Sequence, residues 1–240
     1  MSTDGITKGS TEVSPRLKAR VAGVAYLMNF AFAPGMIAIS KFVIPGDAAA
    51  TATNLLAHEA LFRLGFAGNL IAIAGYITVT ALFYELFKPV NRSVSFLAAL
   101  FSLVGCAILA VSCILYVAPF VALDGTHYLS VFTPEQLQAL ALMFFKLYGQ
   151  AFSLSFVFFG FYQLLIGYLI FRSNFMPRIL GVGLALGGLV GLTFLAPPLA
   201  RFLFRYILIL DIGEAALVLW LLIFGVNAER WKEQARAARE

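Results

Sequence analysis

An all-α integral membrane bundle of six transmembrane helices, with both termini in the cytoplasm, is the fold class this sequence predicts. Three observations predict it. The chain is 61% hydrophobic and 12% charged, with a mean hydropathy of +0.91, which leaves too little polar surface for a soluble domain. Apolar runs long enough to cross a hydrocarbon core of about 30 Å as helices recur six times, near residues 21–43, 64–87, 94–123, 140–171, 179–196 and 202–226. Lys and Arg are also spread unevenly. With both termini and the second and fourth loops on one side, that side holds twelve of the seventeen cations, and the other keeps Lys41, Arg63, Lys146, Arg201 and Arg205. The rule that cations stay inside places the richer side, and with it both termini, in the cytoplasm.

The chain divides into a polar, disordered stretch at 1–15, a membrane domain at 16–227 and a basic amphipathic tail at 228–240. The first apolar run has no small-residue cleavage site after it, so it reads as an uncleaved span. The net charge of +5 is a topology signal, and no pattern for nucleic acid accompanies it.

After the first span, Pro45-Gly46 makes a turn and Asp47 caps a helix that is expected to run on into the second span. Glu59 and Arg63 form an i, i+4 pair there. The second span carries Gly65, Gly68, Asn69, Ala72 and Gly75 on one stripe, which belongs against other helices. It stops at Lys88-Pro89. Cys106 and Cys113, seven apart in the third span, read as packed small hydrophobes that cannot bond to each other.

Thr133-Pro134-Glu135-Gln136 is a capping box with proline at the first helical position. The helix it starts is too long for one straight span, so either a projecting outer turn or a bend near Gly149 is expected. Lys146, Gln150, Ser153 and Gly160 share one face of it. In the fifth span Gly183, Gly187 and Gly191 mark a close helix contact, within the bundle or between two copies of a homodimer. Asn227 then precedes the amphipathic tail bearing Trp231, which suits a membrane surface.

Several strings taken together resemble a known family: Pro45-Gly46-Asp47-Ala48, Leu61-Phe62-Arg63-Leu64-Gly65, Lys88-Pro89-Val90-Asn91-Arg92, Phe171-Arg172-Ser173 with Pro177-Arg178-Ile179-Leu180-Gly181, and Gly213-Glu214. They are similar, over residues 16–227, to the widespread bacterial membrane family known as domain of unknown function 4386. The resemblance implies a polytopic inner-membrane protein. It brings no activity and no catalytic residues.

Chemistry must therefore be sought in the residues. Asp211 and Glu214 fall about 13 and 18 Å into the last span, three apart on one face, where ions are expensive enough to suggest function. They are the candidate catalytic or proton-donating pair. Arg63, Asn69, Lys146 and Gln150 are the candidate ligand-binding residues, and Arg63 or Lys146 the expected charge partner. The expected ligand is a lipophilic small molecule held near the acids, with acid-catalysed conversion as an enzymatic version. A proton-coupled transporter and a scaffold pinned by a structural ion pair are the alternatives. Membrane lipids are the expected surroundings. No His/Cys cluster for a metal, no Gly-rich phosphate loop and no nucleophile elbow occurs, so no cofactor is expected; His58 and His127 read as isolated loop residues.

Overall fold

The computed structural model describes residues 14–203 and 212–238. The described residues form helices and no strand: α1 (Pro15–Ser40), α2 (Ala48–Ala57), α3 (Glu59–Phe87), α4 (Arg92–Leu123), α5 (Pro134–Arg172), α6 (Arg178–Leu192), α7 (Pro197–Leu203), α8 (Ile212–Ile223) and α9 (Ala228–Ala237). Four segments are long and apolar enough to cross a membrane, namely Glu59–Phe87, Arg92–Leu123, Pro134–Arg172 and Arg178–Leu195; α8 and α9, bent by 102°, would together make a fifth. The chain is an all-helical membrane protein. Asp211, Arg205 and the polar stretch before Ser14 lie outside the described residues, as does the Arg201 side chain.

Local sequence sets the helix starts. Asp47 accepts from the Ala50 amide at 2.8 Å and Asn91 from that of Val94 at 3.0 Å. Thr133 and Gln136 complete the reciprocal capping box, and Asn227 accepts from the Arg230 amide at 3.1 Å. Each satisfies an amide that the first turn leaves without a helical partner. The expected continuous helix from residue 48 into the second span is instead broken at His58. Its backbone leaves the helical region (φ −123°), its Nδ1 bonds the Asn54 carbonyl at 2.9 Å, and its ring stacks on Phe42 at 4.2 Å. α5, by contrast, runs unbroken through Gly149 for 39 residues, about 58 Å, with α2 packed against it.

The bundle is assembled through glycine. A Cβ on Gly160 would lie 2.7 Å from the Gly188 carbonyl oxygen, and one on Gly167 would lie 2.6 Å from that of Gly181, so α5 and α6 touch backbone to backbone. Gly191 meets the Phe156 carbonyl of α5, Gly183 meets Gly213 of α8, and Gly187 is buried. The small-residue contact expected in this helix is thus made inside the chain. Gly75 plays the same part for α3 against α1, where its Cβ would stand 2.9 Å from the Ala25 carbonyl. Within the stripe read from the sequence, Gly68, Asn69 and Gly75 are buried.

The start of α1, the α3–α4 and α5–α6 turns and α9 gather at one end. Lys18 meets Glu85 there at 3.4 Å, and Arg20 reaches the Ile223 carbonyl. Trp231 donates its indole N–H to the Leu86 carbonyl at 2.8 Å, and Gln234 accepts from the Asn174 amide at 3.2 Å. α9 is therefore fastened across this end of the bundle. At the opposite end, Phe62 collects Phe42, Tyr116, Phe120 and Phe145 into an aromatic cluster. Cys106 and Cys113 are buried and free.

Candidate functional site

Two glycine contacts fix the height of the half-buried acid Glu214. Gly213 lets α8 rest on Gly183 of α6, and the next residue, Glu214, is turned to α1. There its carboxylate accepts a hydrogen bond from the Tyr26 hydroxyl. Gly75 does the same for α3 against α1 and places Tyr76 beside Tyr26, the two rings edge to face at 5.4 Å and their hydroxyls 3.3 Å apart. Each phenol has a single proton. With the Tyr26 proton given to Glu214, Tyr76 is the donor to Tyr26, and the bonds run in one direction from α3 through α1 to α8.

Tyr162 of α5 completes the group. Its ring packs on that of Tyr76 at 5.9 Å, and the Glu214 carboxylate acts electrostatically on both phenols. The Tyr162 hydroxyl is buried and has no hydrogen-bond partner among the described residues. Phe159 lies 4.6 Å from the Tyr76 ring, and Cys106 of α4 belongs to the same buried cluster. Four helices, α1, α3, α5 and α8, contribute to one polar group.

Tyr26, Tyr76, Tyr162 and Glu214 lie 12, 12, 10 and 11 residues from Ser14, Lys88, Arg172 and Gly225 respectively. At 1.5 Å per residue all four are about 15–18 Å from the same polar end, at mid-depth of a hydrocarbon core of about 30 Å.

The candidate ligand-binding residues fall elsewhere. Arg63 is exposed and pairs with Glu59 at 2.6 Å, as the i, i+4 spacing suggests. It precedes Tyr76 by 13 residues of α3, about 20 Å along the axis. Lys146 and Gln150 are exposed on α5, about 24 and 18 Å from the level of Tyr162. Asn69 is buried, as expected, and faces Tyr148 in the half of the bundle away from α9. Glu214 is thus brought together with phenols and separated from the cations chosen to balance it. The signal that marks the phenols is the run Gly75-Tyr76 read beside Gly213-Glu214. In each, a glycine that forces close approach is followed by the polar group that the approach delivers.

A further polar contact ties the bundle. Thr80 of α3 and Ser102 of α4 share a buried hydrogen bond of 2.6 Å. Among the described residues no group of three or more His, Cys, Asp or Glu is placed to hold a metal.

A polytopic helical membrane protein with a carboxylate bonded to a tyrosine inside the bundle is the class that fold and site define. The chain belongs to the family described as domain of unknown function DUF4386, whose model matches residues 21–225. It is also similar to an uncharacterized protein of Archaeoglobus fulgidus, 28% identical over 152 residues that cover 62% of this chain and 76% of that one. No solved structure matches it.

Proposed function

We propose that the chain binds a lipophilic small molecule inside the membrane, with the polar group of that molecule bonded to Glu214 and to the Tyr162 hydroxyl. Tyr162 carries the proposal. A buried hydroxyl left unbonded costs about 1–3 kcal/mol, and native interiors rarely leave one so. A ligand hydroxyl, amine or carbonyl would bond it, while Phe159 and the tyrosine rings take the apolar body. Asp211, three positions before Glu214 in the sequence, is the second candidate acid. Proton donation from either acid to the bound molecule is the enzymatic extension of the same arrangement.

The test is native mass spectrometry of gently extracted protein. A small bound species should leave with wild-type protein and be lost in Glu214→Gln and Tyr162→Phe variants that remain folded. Equal retention in all three, or no bound species in the wild type, would end the proposal.

A second reading, proton-coupled transport, is favoured by the row of hydroxyls. If Glu214 takes up a proton it becomes the donor, Tyr26 turns to Tyr76, and the direction of every bond reverses. Proton flux driven by a ligand gradient in proteoliposomes would separate transport from binding alone.

For the membrane setting we propose six crossings of a bacterial inner membrane, with α1 first, α8 ending the last, and the end that carries α9 in the cytoplasm. The cation excess at that end supports this orientation. In intact cells a membrane-impermeant maleimide should label Val131→Cys, whose native residue is 80% exposed in the α4–α5 loop. Asn174→Cys should react only after permeabilisation, and the opposite pattern would invert the topology.

A further inference from the structure

A cavity of about 610 Å³ opens where α1, α3, α4 and α9 meet, at the end of the bundle away from the aromatic cluster. Its wall includes Lys18, Lys88, Arg92 and Lys232, with Glu85 the single carboxylate among them. Glu85 is already engaged, by Lys18 at 3.4 Å and by Lys88 at 2.8 Å. Arg92 and Lys232 enter no ion pair among the described residues. The cavity therefore presents three positive charges in excess, two of them uncommitted.

The height of this cavity fits a headgroup. Lys88 and Arg92 bracket the turn that follows the last apolar residues of α3, and Trp231, bonded to the Leu86 carbonyl, forms part of the wall. Charge alone would suit any phosphate, free or esterified. What lies beneath separates the two. On α4, Phe96 and Leu100 follow Arg92 at four-residue steps and are 54% and 43% exposed. On α3, Tyr84, Ala81 and Ile77 continue the face of Lys88, with Ile77 43% exposed, and the Tyr84 and Phe96 rings meet edge to face at 6.3 Å. An apolar lane thus descends from the cations along two neighbouring helices.

We infer that this cavity is a binding site for one anionic phospholipid, its phosphate between Arg92 and Lys232 and its acyl chains along Phe96, Leu100 and Ile77. Basic pockets at helix ends recognise lipid phosphates through this combination of charge and depth. The arrangement is independent of Glu214, which lies about 16 Å further in.

The experiment uses full-length protein in nanodiscs of phosphatidylcholine with or without phosphatidylglycerol, followed by delipidation and native mass spectrometry. Wild-type protein should retain one phosphatidylglycerol in preference to phosphatidylcholine. An Arg92→Gln, Lys232→Gln variant should lose that preference by on the order of tenfold, with an unchanged melting temperature in phosphatidylcholine alone. Glu85→Gln, which removes the opposing carboxylate, should strengthen retention several-fold, an increase that mere damage to the fold would not produce. Equal retention by wild type and double variant would overturn the assignment. So would complete displacement of the lipid by millimolar inorganic phosphate, which would identify a free phosphate as the occupant.

Discussion

Replacing Gly167 by leucine is expected to leave little folded protein. A Cβ there would stand 2.6 Å from the Gly181 carbonyl oxygen and 3.0 Å from the Ala185 amide nitrogen, and one on Gly181 would stand 2.5 Å from the Gly167 oxygen. These obstacles are backbone atoms, which no rotamer change removes. Overpacking a core typically costs about 1–3 kcal/mol when side chains yield, and here two helices must part along their length. Lipid offers no hydrophobic compensation for the lost contact, because the tails are as apolar as the side chains that replace the glycine surface. The loss should exceed about 3 kcal/mol, enough to lower the melting temperature by roughly 10 °C for a chain of this size. Gly149→Leu is the control. Nothing lies within 4 Å of a Cβ at that position, and helix propensity favours leucine there by up to about 1 kcal/mol. Thermal unfolding followed by size-exclusion chromatography decides the matter. Similar melting for the Gly167 variant and wild type would show that α5 and α6 are not packed through this glycine.

The second large effect is a pair of opposite sign from one chemical change. Tyr26→Phe removes a donor from the Glu214 carboxylate and breaks the contact to Tyr76. Hydrogen bonds to a charged group contribute about 1.5–3 kcal/mol, so the variant should melt several degrees lower. Tyr162→Phe removes a hydroxyl that is buried without a partner among the described residues. In protein stripped of bound molecules, deleting it relieves a desolvation cost of about 1–3 kcal/mol, and the variant should melt higher than wild type. Binding then divides the two proteins further. Ligand should raise the melting temperature of wild type but not of Tyr162→Phe. A Tyr162→Phe variant that melts lower than stripped wild type would mean that the hydroxyl is bonded within the protein, and would remove the main support for a ligand beside it.

Much of the architecture was legible in the residues, because its causes are local or compositional. Asp47 and Thr133 start their helices through side chains within three residues of the amides they bond. The grouping of the chain's basic turns at one end follows from Lys and Arg alone. The break at His58 was not legible, since the ring of Phe42 that holds it lies outside the helix. Glu214 could be picked out as a carboxylate in an apolar run, but its partners could not. Charge balance points to Arg63 and Lys146, and only the register of α3 and α5 shows that these lie about 20 Å or more from its level. Tyr26, Tyr76 and Tyr162 are three of nine tyrosines in a chain with 24 phenylalanines. Composition does not separate a phenol bonded to an acid from one that merely packs.

The bond between Tyr26 and Glu214 spans 188 residues of sequence, which gives the bundle an order of assembly. At a synthesis rate of about 5–20 residues per second, α1 enters the membrane roughly 10–40 s before the helix that supplies its carboxylate. During that interval the Tyr26 hydroxyl has α3 as its neighbour, brought close by Gly75, and Tyr76 serves as its provisional partner. Arrival of α8 then adds a charged contact to the neutral one and, through Gly213 on Gly183, brings α8 against both α1 and α6. Ribosomes that stall before the last span would release a chain with a phenol on an open seam, a mark by which membrane quality control could distinguish unfinished molecules from complete ones.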